Sequence, residues 1–131
     1  MKANSKFPFA VSSTAFRRSP IANAVALAKA NQFCLEFSSG IPHQEGMSDY
    51  FLSADCEKLL HNYFPAPKVP FVLNLASMDE TTYSKSLAHC EQGLKLAAQA
   101  GCPFYSVHAG FCLDPKPESL GQKLVFTNSH E

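Results

Sequence analysis

The sequence has no excess charge of either sign: eleven Lys and Arg residues balance eleven Asp and Glu residues, and the pI is about 6.9. Only Arg17 and Arg18 supply guanidinium groups. Such a chain has no basic field to gather a phosphate backbone, so extended nucleic-acid binding is disfavoured. No stretch approaches the roughly 18 consecutive apolar residues of a membrane-spanning helix, which excludes a span of that kind. Lys2, Lys6, Arg17 and Arg18 make the start basic, yet no uninterrupted apolar run follows, and no signal peptide is expected. The five cysteines, Cys34, Cys56, Cys90, Cys102 and Cys112, are odd in number and contain no C-x-x-C pair. Neither a disulfide framework nor a zinc knuckle is indicated, and reduced thiols in a cytoplasmic protein are expected. The glycine-rich phosphate loops G-x-G-x-x-G and G-x-x-x-x-G-K-[ST] are both missing, which removes the usual support for a nucleotide site.

What remains is ordinary globular composition, 131 residues with 46% apolar and 17% charged, enough for one domain with a real core and too little for two enzymatic domains. The run 7–14 (FPFAVSST) reads as a strand leading into a helix, with Ser19 as N-cap and Pro20 at the first helical position. In IANAVALAKANQ, Ile21, Ala24, Val25 and Ala28 share one face while Lys29 and Gln32 lie on the solvated side. Residues 33–40 (FCLEFSSG) predict a second strand carrying Glu36. Residues 41–47 are loop-like, and 50–57 predict one or two helical turns. A third strand is predicted over 58–63.

Three prolines in residues 65–70 (PAPKVP) forbid continuous helix and predict an extended crossing segment. The apolar run 71–77 (FVLNLAS) has the character of a strand. Ser77 and Glu80 have capping-box spacing ahead of a helix whose predicted apolar stripe is Leu87, Cys90, Leu94 and Ala97. Gly101 and Pro103 stop that helix, and 104–111 (FYSVHAGF) predicts a fourth strand. Residues 113–131 form a polar tail without periodicity. Strands alternating with helices imply an α/β fold with a parallel sheet, either doubly wound or part of a (β/α) barrel.

In both architectures ligands bind at the carboxyl ends of the strands. The polar residues at those ends are Ser12 and Ser13, then Glu36 with Ser38 and Ser39, then His61 and Asn62, and finally His108. Imidazoles from neighbouring strands can share a divalent cation such as zinc or manganese, although two ligands do not close a site and carboxylates are still needed. Tyr63, Phe64, Phe71, Phe104 and Phe111 are candidates to stack on a ligand face. Phe71 and Phe104 read better as core, and Phe111 as the pocket rim. His43, His89 and His130 read as surface or packing residues. Cys34, Cys90 and Cys102 read as core thiols, and Cys112 lies beside the candidate site without an assigned base.

The runs LLHNYFPAPKVPFVLNLAS and FYSVHAGFCLDPKPESLG, with a capped helix between them, resemble the amino-terminal half of the xylose-isomerase-like TIM-barrel superfamily. Within it the similarity is to the sugar phosphate isomerase/epimerase group, and apurinic endonucleases of the endonuclease IV type share the fold. The resemblance spans residues 8–124 and is most specific at HNYF, NLAS and HAGF. It implies a (β/α)8 barrel truncated to about its first four β/α units, a single incomplete domain over residues 1–131. It further implies an enzyme that binds a sugar or sugar phosphate and uses a divalent metal (Mn, Mg, Co or Zn) to move a proton between adjacent carbons. Glu36, Asn62 and Phe111 would line the substrate, and His61 and His108 would bind metal. The catalytic carboxylates would lie in the second half of the barrel, so the fragment alone is expected to be inactive.

By the same resemblance the histidine pair alone leans towards the endonuclease type, which hydrolyses phosphodiesters, while the motifs around it and the neutral charge lean towards the isomerase type, the favoured reading. A third reading is non-enzymatic: a half-barrel with two open edges and an apolar interior that pairs with another copy or a complementary half.

Overall fold

Short apolar runs alternating with helices build one parallel sheet. The computed structural model describes residues 9–16 and 19–123. Strands β1 (Ala10–Ser12), β2 (Cys34–Phe37), β3 (Lys58–His61) and β4 (Tyr105–Ser106) pair in the order β1-β2-β3-β4, each neighbouring pair parallel. Parallel neighbours need crossovers. These contain the helices α1 (Ile21–Asn31), α2 (Met47–Ser53) and α3 (Glu80–Gln99). Strand order follows chain order without the reversal that creates a doubly wound switch point. Among the described residues no helix is long and apolar enough to cross a membrane.

Alternation along the strands sorts the side chains onto two faces. Leu35, Phe37, Leu60 and Tyr105 point towards the helices and join Ala24, Ala28, Phe51, Phe64, Leu96 and Ala97 in the core. Its centre is aromatic: the ring of Phe37 lies 4.9 Å from that of Phe51 and 5.2 Å from that of Phe64, both edge-on. Burying each such ring contributes about 1.5–3 kcal/mol, which is why this cluster rather than the short strands dominates the fold. The register sets Ser12 beside Glu36, Glu36 beside Leu59, and His61 beside Ser106 on the opposite face. Among these residues Leu59 alone is a large aliphatic. The same face also carries Ala10 and Cys34, so it mixes apolar side chains with polar ones.

Several boundaries also differ from the sequence reading. The first strand is confined to Ala10–Ser12 because Ser13–Phe16 turn into a 3-10 helix, while Phe7, Pro8, Arg17, Arg18 and His130 lie outside the described residues. Pro20, not Ser19, occupies the N-cap of α1, with no side-chain cap. The short second helix starts at Met47 behind Gly46, whose φ of 76° favours glycine. β3 ends at His61 rather than residue 63, and 71–77 is irregular rather than a strand.

Asp79, not the Ser77 and Glu80 pair, caps α3 by accepting from the Thr82 amide at 2.7 Å. The buried stripe of α3 runs through Ser86, His89, Cys90, Gly93, Leu96 and Ala97, leaving Leu87 and Leu94 exposed. Phe104, expected in the core, is exposed, and the predicted strand 104–111 is reduced to Tyr105–Ser106.

Candidate functional site

The carboxyl ends of the strands enclose a cleft of about 300 Å³ lined by Ser12, Thr14, Glu36, Ser38, Ser39, His61, Asn62, Tyr63 and His108. Each strand delivers its residue by the same logic. The last outward position of a parallel strand opens onto the loops, so Ser12 arrives directly beside Glu36, and His61 follows one outward position beyond Leu59, the partner of Glu36. Ser13 lies just behind this lining, buried, where its hydroxyl accepts from the Ser38 amide at 2.8 Å and ties the first two strand ends together.

The histidines are held from behind. His61 Nδ1 lies 2.7 Å from the Ser106 carbonyl oxygen and donates to it, which leaves Nε2 as the ring's lone-pair nitrogen. The rings of His61 and His108 stand 5.0 Å apart at 65°. Asn62 is buried, and its Oδ1 accepts from the His108 amide at 2.9 Å. Its own amide donates to Ser106 at 3.0 Å. Asn62 thus lines the cleft and also fixes the backbone that carries the second histidine. Glu36 is half-buried and has no ion-pair partner among the described residues.

Beyond β4 the backbone hangs on a residue that sequence reasoning missed. Asn74 is 1% exposed. Its Oδ1 accepts from the amides of Ala76 at 3.1 Å and Phe111 at 3.0 Å, and its Nδ2 donates to the Leu113 carbonyl at 3.1 Å and Asp114 Oδ1 at 2.7 Å. Ser77 Oγ donates to the other oxygen of Asp114 at 2.8 Å. The Asn74 amide in turn donates to Ser86 Oγ on α3 at 2.8 Å. An asparagine inside an apolar run was the available signal, because a buried carboxamide requires partners for both its ends.

The two imidazoles supply donors suited to a divalent cation, and the Nδ1 bond of His61 is the outer-shell contact that orients such a ligand. A catalytic zinc usually takes three protein ligands. Among the described residues no group of three His, Cys, Asp or Glu side chains is arranged to hold an ion. These residues fit part of a metal site and do not form one alone.

A larger cleft, about 540 Å³, opens at the amino ends of the strands. Its cations are already occupied: Lys29 pairs with Asp55, and Lys58 Nζ donates to the carbonyls of Leu52 and Ala54, each at 2.9 Å. Size alone therefore does not identify the functional cleft.

The remaining candidates separate. Phe111 is exposed and lies outside the cleft lining, held by its amide rather than placed at the rim. Phe64 is buried in the core and is corrected from a stacking candidate to a packing residue. Tyr63 reaches the lining while its hydroxyl accepts from the Phe71 amide at 2.7 Å, and burial raises its pKa. Phe71 packs against Tyr63 and His89. His89 is buried, and burial lowers its pKa, whereas His43 bonds the Ala66 carbonyl in a loop. Cys34 and Cys90 are buried, Cys102 is half-buried, and Cys112 is exposed.

Comparison with protein-family models, with curated proteins and with solved structures finds no match.

Proposed function

We propose that the sheet is the amino-terminal arc of a (β/α)8 barrel of the xylose-isomerase-like type, and that the barrel is a sugar (phosphate) isomerase/epimerase. The observation that carries this reading is the convergence of Glu36, His61 and His108 in one cleft at the carboxyl ends of parallel strands. Sequential strand order supports the barrel over a doubly wound sheet, because a barrel adds each strand beside the last. Hydroxyl groups from Ser12, Thr14, Ser38 and Ser39 give the cleft donors and acceptors that match a polyol. Glu36 and Asn62 would contact the sugar. His61 and His108 would contribute two donors to a divalent metal whose other ligands come from the remaining strands, together with the proton-transferring carboxylate. A cytoplasmic location belongs to the same proposal.

The facing histidines also favour a second reading, an apurinic endonuclease of the endonuclease IV type, in which such imidazoles bind the metal that activates water. Neutral net charge weighs against it.

The test is an amide NMR titration of the chain, first with zinc and then with ketoses, ketose phosphates and a short duplex containing an abasic site. Shifts at Glu36, His61, Asn62 and His108 on adding sugar support the isomerase reading. Shifts produced by the abasic duplex alone move the assignment to the endonuclease. A spectrum unmoved by zinc and every ligand, or zinc shifts that survive His61→Ala and His108→Ala together, would refute both.

A further inference from the structure

We propose that Asn74, which does not line the cleft, is a positioning residue for it: its carboxamide holds the segment 108–114 in the conformation that turns His108 towards His61. The inference rests on the reading of that cleft as the functional site, and it adds a residue and a device to it.

The segment after β4 has few other restraints. Its predicted continuation as a strand does not form, and no strand pairs with it beyond Ser106 among the described residues. In place of a ladder, side chains and one loop amide take up its backbone groups. Asn62 Oδ1 accepts from His108, the Leu75 amide donates to the Ala109 carbonyl at 2.8 Å, and Asn74 binds Phe111, Leu113 and Asp114. Asn74 is the hub because both ends of one carboxamide serve this segment. It is itself anchored to α3 through Ser86, whose hydroxyl donates to the Thr82 carbonyl at 2.7 Å. The path from the helix to the histidine loop is therefore a continuous chain of hydrogen bonds. Gly110 completes it by letting the backbone come close to the carboxamide.

The orientation of the carboxamide matters as much as its presence. Nδ2 faces two oxygens, the Leu113 carbonyl and Asp114 Oδ1. Replacing it with oxygen in Asn74→Asp keeps the shape but sets a carboxylate against both acceptors, and the loop should release. In the exchange variant Asn74→Asp with Asp114→Asn, the new amide at 114 can donate to the carboxylate at 74. That restores the pair with donor and acceptor reversed, leaving the Leu113 carbonyl unserved.

The experiment measures amide hydrogen exchange at His108 and Phe111, and the ring-to-ring nuclear Overhauser effect between His61 and His108, in the full chain. Asn74→Asp is expected to speed Phe111 exchange about tenfold or more and to remove the ring-to-ring signal, while the exchange variant recovers a large part of both. Loss of global stability alone would accelerate exchange throughout α3 without this local pattern or its recovery. If Asn74→Asp does not fold, Asp114→Ala tests the same link from an exposed position and should accelerate Phe111 in the same direction. Unchanged exchange and an intact ring-to-ring signal in a folded variant at either position would overturn the proposal. These readouts need neither metal nor turnover, so an absence of sugar binding would defeat the isomerase reading while leaving this inference standing or falling on its own data.

Discussion

A β-carbon on Gly110 would lie 2.1 Å from Oδ1 of Asn74 and 3.1 Å from the Leu75 amide nitrogen. With a φ of 152°, residue 110 also adopts a backbone conformation that side chains disfavour. The loop after β4 and the loop before α3 therefore meet at a contact that only hydrogen atoms can fill. Gly110→Ala is expected to destabilise the fold by about 1–3 kcal/mol, since either the carboxamide must leave four hydrogen bonds or the loop must move. Urea unfolding followed by circular dichroism measures this, and a midpoint equal to that of the wild type would contradict the close approach.

Gly93 is a second close approach, this time inside α3. A β-carbon there would come within 2.7 Å of the Tyr105 ring. Alanine at a helix interior normally gains about 1 kcal/mol over glycine, but overpacking a core costs about 1–3 kcal/mol. The second effect should win, and Gly93→Ala is expected to unfold at lower urea than the wild type. Adding Tyr105→Leu, which removes the ring, should reverse the sign of the Gly93→Ala change. A stabilised single variant would show that Tyr105 moves aside freely.

The thiols should differ sharply in reactivity. Burial and then the nearby Glu57 push the Cys34 thiol up to about 11, so only about one part in a thousand is thiolate at pH 8. Cys90 is buried and its pKa is likewise raised by burial, whereas Cys112 is exposed. Timed alkylation with iodoacetamide at pH 8, read by peptide mass spectrometry, should label Cys112 first and Cys34 and Cys90 last. Early labelling of Cys34 in folded protein would mean that β2 opens locally.

Much of this architecture was legible because local chemistry and tertiary environment agree. Helix α1 keeps its expected apolar face, with Ala24 and Ala28 buried and Ile21 and Val25 packed at the margin. Glu36, His61, Asn62 and His108, grouped in the sequence by their places at strand carboxyl ends, line one cleft. Failures occurred where distant residues decide. Residues 104–111 look like a strand, but only Tyr105 and Ser106 find a ladder, and side-chain carboxamides take over beyond them. FVLNLAS has the composition of a strand, yet Asn74 draws the chain into a loop through partners 37 to 40 positions away. Leu87 and Leu94 have helical spacing, but α3 buries the face that carries Gly93, where a β-carbon would meet the Tyr105 ring.

His89 makes stability depend on pH with a definite sign. It lies 6% exposed between the rings of Tyr63 and Phe71, 5.2 Å and 5.9 Å away, and its Nε2 has no hydrogen-bond partner among the described residues. Burial lowers its pKa from the ordinary 6.5, so the folded state holds it neutral where the unfolded chain would already be protonated. Its contribution is present in full above pH 6.5 and is lost as pH falls from 6.5 towards the depressed folded value. His89→Phe keeps an aromatic ring against Tyr63 and Phe71 and carries no titrating group. Urea midpoints for both proteins at pH 7.5 and 5.5 isolate the effect, because His43, His61 and His108 are common to the two. The wild type should lose more stability between those pH values than the variant does. Equal losses would show that the folded protein admits a proton at His89, either by solvent reaching Nε2 or by α3 lifting away from Tyr63.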